Sequence, residues 1–449
     1  MVQPATSKSL GEAAEHKGSG RFFDFGQGEN PIPPPVRLFT LYSRLLLDKR
    51  GYALAAGEKA CREAVARYER EVHGIDRGGE NILFGPGGRP LLNAAIQCMD
   101  HPLVCPTPSW VSYWQLMRGY GRQFEALHLR DENGFALDGD HLEYLLQSKL
   151  PPRSRWMNWL SRQPHFASRF GNPFHKSPIL VVTHPENPQG GSMHPLDLRR
   201  IAEVAYMYDL IVMADEIYDE LVYPISIEQD QQMVSVNPYL SFAHRTIYPS
   251  KTIRMTGLSK NWGWPGARFC WLSVPDDLMD LKTKLIQDYS GNVFGGTNHA
   301  LQWALAEMLN NHRAELADHF AHNRRILQRV GYYTWDYLRN VSIQEMPLGN
   351  LIVGEPPQAG LYKWIFIIRE TKEKLNAKGI KTSVQLAQRL RDEYGVRVLE
   401  GEKFGRPPEE LSFRIVFAKG LDNGPLALHE SEEIGLGEGS ELPKDFIDR

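Results

Sequence analysis

Nothing in this sequence supplies a disulfide framework. Four cysteines, Cys61, Cys98, Cys105 and Cys270, are scattered over 449 residues. None forms a CxxC pair, so neither a zinc site nor a redox motif is indicated, and they read as idle thiols of a reducing compartment. Excess charge of one sign is lacking too. The formal net charge is −3, without the basic footprint that nucleic acid requires. No apolar run approaches the ~20 residues of a membrane span, and Met1 to Gly20 contains no apolar signal-peptide core. No internal repeat is visible. The expectation is a cytoplasmic chain with no nucleic-acid partner, no membrane association and no metal. What is present is 42% apolar residues, enough for a substantial core, and a length that suits one large and one small domain.

Residues 1–20 read as a flexible leader. Residues 21–64 form an N-terminal segment expected to pack with the smaller domain; it contains the proline-stiffened run Asn30-Pro-Ile-Pro-Pro-Pro35. Helical periodicity covers about Val36 to Leu47 and Glu58 to Val72, and another helix begins near Arg89. Ile179-Leu-Val-Val-Thr183 and Leu210-Ile-Val-Met-Ala214 are unbroken and β-branched, with a helical stretch between them. Phe269 to Val274 reads as a further strand. Strand–helix–strand with continuous apolar strands predicts an α/β fold, a parallel sheet covered by helices. This large domain is placed at 65–325. After a long helical region (about Asn298 to Asn340), Trp364 to Ile368, Val396 to Leu399 and Ser412 to Phe417 look strand-like, with a helix over Ser383 to Tyr394 between the first two. They define a smaller α+β domain at 326–420. Residues 421–449 form an acidic, glycine-rich tail. Residues 151–178, basic and aromatic, interrupt the alternation as an insertion.

The chemistry centres on Lys260, in Gly257-Leu-Ser-Lys-Asn-Trp-Gly-Trp-Pro-Gly-Ala-Arg268. A lysine in a glycine-rich turn, with Arg268 eight residues on and Asp215 closing an apolar run upstream, suits Schiff-base chemistry on an aldehyde cofactor carrying a phosphate. Asp215 stands at a strand's carboxyl end, where open α/β sheets bind ligands. A carboxylate there keeps a pyridine nitrogen protonated, and Tyr218, three residues on, can hydrogen-bond a ring hydroxyl. Asn187, between prolines in His184-Pro-Glu-Asn-Pro-Gln-Gly-Gly191, offers an amide at the same edge. Trp110 can stack on a ring. Gly88 and Arg89 open a helix whose N-terminus favours phosphate, and Arg268 adds a charged fork. Arg414 lies in an apolar strand and needs an anion. Each residue alone has a commoner structural explanation; the argument rests on their joint occurrence and order.

That order resembles the class I/II aminotransferases of pyridoxal-phosphate (PLP) fold type I, the aspartate aminotransferase superfamily. The Asn-Pro turn is similar to His184–Gly190, the Asp-Glu-x-Tyr run to Asp215–Tyr218, and the lysine block to Gly257–Arg268. The substrate-arginine strand is similar to Ser412–Phe417, and Gly51-Tyr-x₄-Gly57-x₄-Arg62 to an upstream family stretch. The resemblance runs from about Phe25 to Ala418. It implies a mostly parallel, seven-stranded-type sheet and PLP bound to Lys260, with Asp215 at the ring nitrogen. Asn187 and Tyr218 would hold the ring hydroxyl, Trp110 would stack on the ring, and Gly88, Arg89 and Arg268 would hold the phosphate. Arg414, Asn187 and Gly28 would bind substrate. Tyr52 would reach the neighbouring subunit's phosphate, which implies a homodimer with shared active sites. The implied reaction acts on an amino acid through an external aldimine and a Cα carbanion, with a keto acid as second substrate.

The sequence also departs from the pattern. Gly257 stands where the family often has a phosphate-binding serine, with Thr256 the candidate substitute. Gln189 replaces the usual threonine of the Asn-Pro turn, and Pro86 and Pro90 flank the glycine pair. The altered phosphate cradle and the insertion at 151–178 keep an alternative open: a lyase, cyclase or carbon–carbon bond-forming enzyme of specialised metabolism, a class that includes users of S-adenosylmethionine similar to 1-aminocyclopropane-1-carboxylate synthase.

Overall fold

The computed structural model describes residues 22–119, 121, 124–130, 134–147, 177–229, 232–340, 342–343, 346–347 and 355–419. The expected leader and acidic tail, and residues 151–176 of the insertion, lie outside them.

Seven strands form the central sheet: β1 (Ile82–Gly85), β2 (Leu103–Thr107), β3 (Phe124–His128), β4 (Ile179–Thr183), β5 (Ile211–Asp215), β6 (Thr252–Gly257) and β7 (Cys270–Ser273). Their spatial order is β1-β7-β6-β5-β4-β2-β3. Neighbours run parallel except at β7, which is antiparallel to both β1 and β6. Side chains alternate between two cores. Ile179, Val181, Ile211, Met213, Ile253 and Met255 face one, with the helices Gly88–Cys98 and Met279–Leu285. Leu180, Val182, Val212 and Ala214 face the other, with Gly139–Gln147 and Pro195–Met207. Burial on both faces explains why these strands read as unbroken apolar runs.

A third core joins helix Val36–Leu45 to Lys59–His73 and His299–Asn311. The long helical region is two helices, His299–Asn311 and Arg313–Asn340. Beyond them, β8 (Lys363–Phe366), β9 (Leu399–Glu400) and β10 (Ser412–Ile415) make an antiparallel sheet in the order β8-β10-β9. The expected single strand over Val396–Leu399 is divided. Val396–Arg397 pairs in parallel with Phe23–Asp24, whereas Leu399–Glu400 pairs with β10. Strand β10 alternates buried and half-buried positions, and that period of two puts Arg414 on its buried side. Among the described residues no helix is long and apolar enough to cross a membrane. All four cysteines are buried and free.

Candidate active site

The sheet brings four loops to one edge. Strand β4 ends at Thr183 before the His184–Gly191 turn, β5 ends at Asp215, and β6 ends at Gly257 before the Lys260 turn. Because β7 is reversed, its first residue, Cys270, pairs with both Gly257 and Gly85, so Arg268 and the Gly87–Gly88 turn join the same edge. Thr183 pairs with Asp215, and Asp215 with Met255.

Asp215 is buried. The Tyr113 hydroxyl donates to its Oδ2 at 2.7 Å and is also hydrogen-bonded to Thr183 at 2.9 Å. Its Oδ1 is buried with no hydrogen-bond partner among the described residues. Burial pushes the Asp215 carboxyl up to about 7, against the pull of the Tyr113 hydroxyl, the Ile217 backbone and the Lys260 charge. A second chain of contacts approaches from the other side. Arg414 Nη2 donates to the Gly26 carbonyl (2.6 Å) and Nη1 to Asn187 Oδ1 (3.1 Å). Asn187 Nδ2 donates to the Tyr218 hydroxyl (3.2 Å), which is bonded to that of Tyr362 (2.9 Å). Tyr362 donates to the Gly28 carbonyl at 3.4 Å, and Lys260 Nζ donates to the same carbonyl. Asn30 anchors the Lys260 backbone carbonyl at 2.9 Å.

Arg414 is only 3% exposed, and its Nε has no hydrogen-bond partner. Among the described residues no carboxylate lies within ion-pair distance of it; its guanidinium rests on the rings of Tyr362 (4.4 Å) and Phe404 (5.2 Å). Burial lowers its pKa while Tyr362 and Tyr218 oppose the shift. A buried, half-satisfied guanidinium calls for an anion.

Gly87 precedes the helix Gly88–Cys98 with φ 106°, a conformation that favours glycine. A Cβ there would lie 2.5 Å from Arg268 Nη2, so the exposed Arg268 fork covers the bare glycine backbone at the helix N-terminus. Arg89 stands beside it; burial, then the Arg268 charge, lowers its pKa. Two cations beside a helix N-terminus make an anion cradle. Arg89 also lies over the half-buried Trp110 ring at 5.4 Å, and Trp110 meets Tyr113 edge-on.

The structure thus joins Asp215, Tyr218, Asn187, Arg414, Gly28 and Lys260, with Trp110, Gly88, Arg89 and Arg268 along the same edge. Tyr52 is not joined to them: it is 95% exposed. Thr256 does not replace the missing serine. Its hydroxyl donates to Asp219 at 3.3 Å, on the opposite face of β6. Position 257 itself excludes a side chain, because a Cβ there would lie 2.5 Å from Cys270 Sγ. Sequence reasoning missed Tyr113 and Tyr362. Tyr113 stood three residues beyond Trp110 at the start of a helix, a spacing that shares a helical face; Tyr362 carried no signal.

The sequence profile of the family described as aminotransferase class I and II matches residues 41–424. The chain belongs to that family. It is similar to a probable aspartate/prephenate aminotransferase of Rhizobium leguminosarum bv. phaseoli, 23% identical over 93% of this chain and 92% of that one. It is similar also to aromatic-amino-acid aminotransferase 2 of Thermococcus litoralis, 24% identical over 97% and 96%. The solved structure of a double mutant of Thermus thermophilus aspartate aminotransferase shares the fold at TM-score 0.68, with 22% identity and 93% of each chain covered. As a member of the class I and II aminotransferases, the chain is a PLP-dependent transferase. Its relatives support transamination rather than the lyase, cyclase or carbon–carbon bond-forming alternative. The residues present in this aminotransferase fit PLP. The orphaned Asp215 Oδ1 suits a ring nitrogen, and the Gly87–Gly88 turn under Arg268 suits a phosphate.

Proposed function

We propose that this chain moves amino groups between an α-amino acid and a keto acid at the site around Lys260. The observation that carries this reading is one continuous set of contacts from Arg414 through Asn187, Tyr218 and Tyr362 to Lys260, facing an Asp215 oxygen left unpaired. When bound, PLP supplies an aldehyde carbon for an amine and a ring that draws electrons away from the substrate Cα. Asp215 Oδ1 would hold the ring-nitrogen proton. Asn187 and Tyr218 would hydrogen-bond the ring hydroxyl, and Trp110 would stack on the ring. Gly88, Arg89 and Arg268 would hold the phosphate. Lys260 Nζ would be the covalent attachment point and, as a free amine, would take the proton from the substrate Cα. Arg414 binds the substrate carboxylate beside Asn187, and Gly28 leaves room that any side chain would fill against Tyr362. In the same reading residues 65–325 form the large domain and 326–420 the smaller one.

Aspartate and aromatic amino acids, named in its relatives, are the first donors to test. A screen of amino acids against the holoenzyme reads the loss of the visible band and the keto acid formed. Arg414→Ala is expected to lower kcat/KM for every active donor by about 10²–10³-fold, the scale of removing one partner of a buried charge pair. An unchanged kcat/KM would remove Arg414 from the carboxylate site.

The assembly is proposed to be a homodimer. Val36 (79%), Phe39 (54%), Leu47 (81%), Tyr52 (95%) and Leu54 (59%) expose apolar surface along one N-terminal stretch. A second copy covering it would take Tyr52 to the neighbouring phosphate site. Sedimentation at micromolar concentration is expected to give twice the mass of one chain; a monomer with full activity would contradict the shared site. The cytoplasm is the proposed compartment, consistent with four buried free thiols.

A further inference from the structure

Beneath the sheet edge lies a second buried polar cluster that the proposed chemistry does not use. Arg254, on β6, is 1% exposed. Its three guanidinium nitrogens go to three different buried carboxylates: Nε to Glu216 Oε2 at 2.6 Å, Nη1 to Glu69 Oε1 at 2.5 Å, and Nη2 to Asp219 Oδ2. Glu216 also accepts from the Tyr239 hydroxyl (2.6 Å), the Ser241 hydroxyl (2.7 Å) and the Phe242 N–H (2.9 Å). Asp219 accepts from Asn261 Nδ2, whose side-chain oxygen in turn accepts the Glu220 N–H at 3.3 Å.

The sequence positions of these partners carry the inference. Glu216 follows Asp215, Asp219 follows Tyr218, and Asn261 follows Lys260. Strand pairing sets Asp215 and Arg254 on opposite faces of the sheet. Asp215 is registered with Met255 on the site side, whereas Ala214 is registered with Arg254 on the other. Asp215, Tyr218 and Lys260 are thus each followed by a residue held in the Arg254 cluster. We propose that Arg254 is a positioning residue: through Glu216, Asp219 and Asn261 it fixes the backbone that aims Asp215, Tyr218 and Lys260 at one another. A lysine, with a single charged nitrogen on a flexible stem, does not span three carboxylates in fixed directions. The carboxylates of Glu69, Asp219 and Glu216 outweigh burial and keep the guanidinium charged. The proposal rests on the reading of Lys260, Asp215 and Tyr218 as the cofactor site.

The test compares the wild-type holoenzyme with Arg254→Lys and with the milder Asp219→Asn. It reads the melting temperature, the pH midpoint of the visible Lys260–cofactor band, and the first half-reaction with an active donor. Both variants are expected to move the band's midpoint by about half a pH unit or more. They are expected to lower the limiting half-reaction rate by about 10–100-fold, as displacement of reacting groups does, while donor KM changes by less than about 3-fold. If Arg254→Lys does not fold, Asp219→Asn decides. Variants that melt lower but keep the wild-type midpoint and limiting rate would overturn the positioning role and leave a purely structural one. A wild-type protein with no such band, or a band that survives Lys260→Ala, would overturn the underlying site reading and this proposal together.

Discussion

Lys260→Ala is expected to lower transamination by about 10²–10⁴-fold or more. The variant loses both the covalent attachment point and the base that moves the Cα proton, and positioned acid–base groups alone contribute on that scale. Its folding should be spared. Among the described residues the one hydrogen bond of the ammonium is to the Gly28 carbonyl, and the backbone carbonyl that accepts from Asn30 is untouched by the substitution. Circular dichroism with a stopped-flow half-reaction separates the two effects. A variant with normal melting and near-normal proton exchange at the donor Cα would remove Lys260 from the reaction.

Asp215→Ala is the second large effect, expected at about 10²–10³ in the limiting rate, the range seen when one preorganised electrostatic partner is removed. The same residue sets a pH dependence in the cofactor-free protein. Burial raises its carboxyl from 3.8 to about 7, so the folded chain keeps a proton that the unfolded chain releases in between. The stability it contributes is therefore fully present below about 4 and is lost as pH rises through about 7. Glu186 and Asp219 are raised by burial in the same direction, to about 7 and about 6, so the contrast with Asp215→Asn isolates this one group. Urea midpoints of the two apoproteins are expected to converge near pH 4, with the asparagine variant the more stable at pH 8. A gap that stays constant with pH would contradict the assigned shift.

How much of this was legible in the sequence depended on whether a signal was local. Ile179–Thr183 and Ile211–Asp215 are continuous β-branched runs and were readable as buried strands. Thr252–Gly257 was not, because a fully buried arginine stands in its middle, and only three distant carboxylates make that burial tolerable. Lys260, Asp215, Asn187 and Arg414 were recognisable because each sits in a short motif of unusual residues. Tyr113 and Tyr362 were not, because an aromatic beside a helix or strand looks the same in sequence whether it packs in a core or hydrogen-bonds a carboxylate, as Tyr113 does, or a hydroxyl and a backbone carbonyl, as Tyr362 does. The glycine at 257 was visible as a departure, but its cause was not. The reversed strand β7 brings Cys270 against it, a contact that only strand pairing reveals. The reversal itself left no mark in the composition of Cys270–Ser273.

One lysine, Lys260, is proposed to carry the cofactor within this assembled edge. Borohydride reduction of the holoenzyme, followed by proteolysis and mass mapping, tests it most directly. A single stable pyridoxyl label is expected on the peptide containing Lys260, absent from Lys260→Ala. Equal labelling of the variant, or a label carried by another lysine such as the buried Lys363, would contradict it.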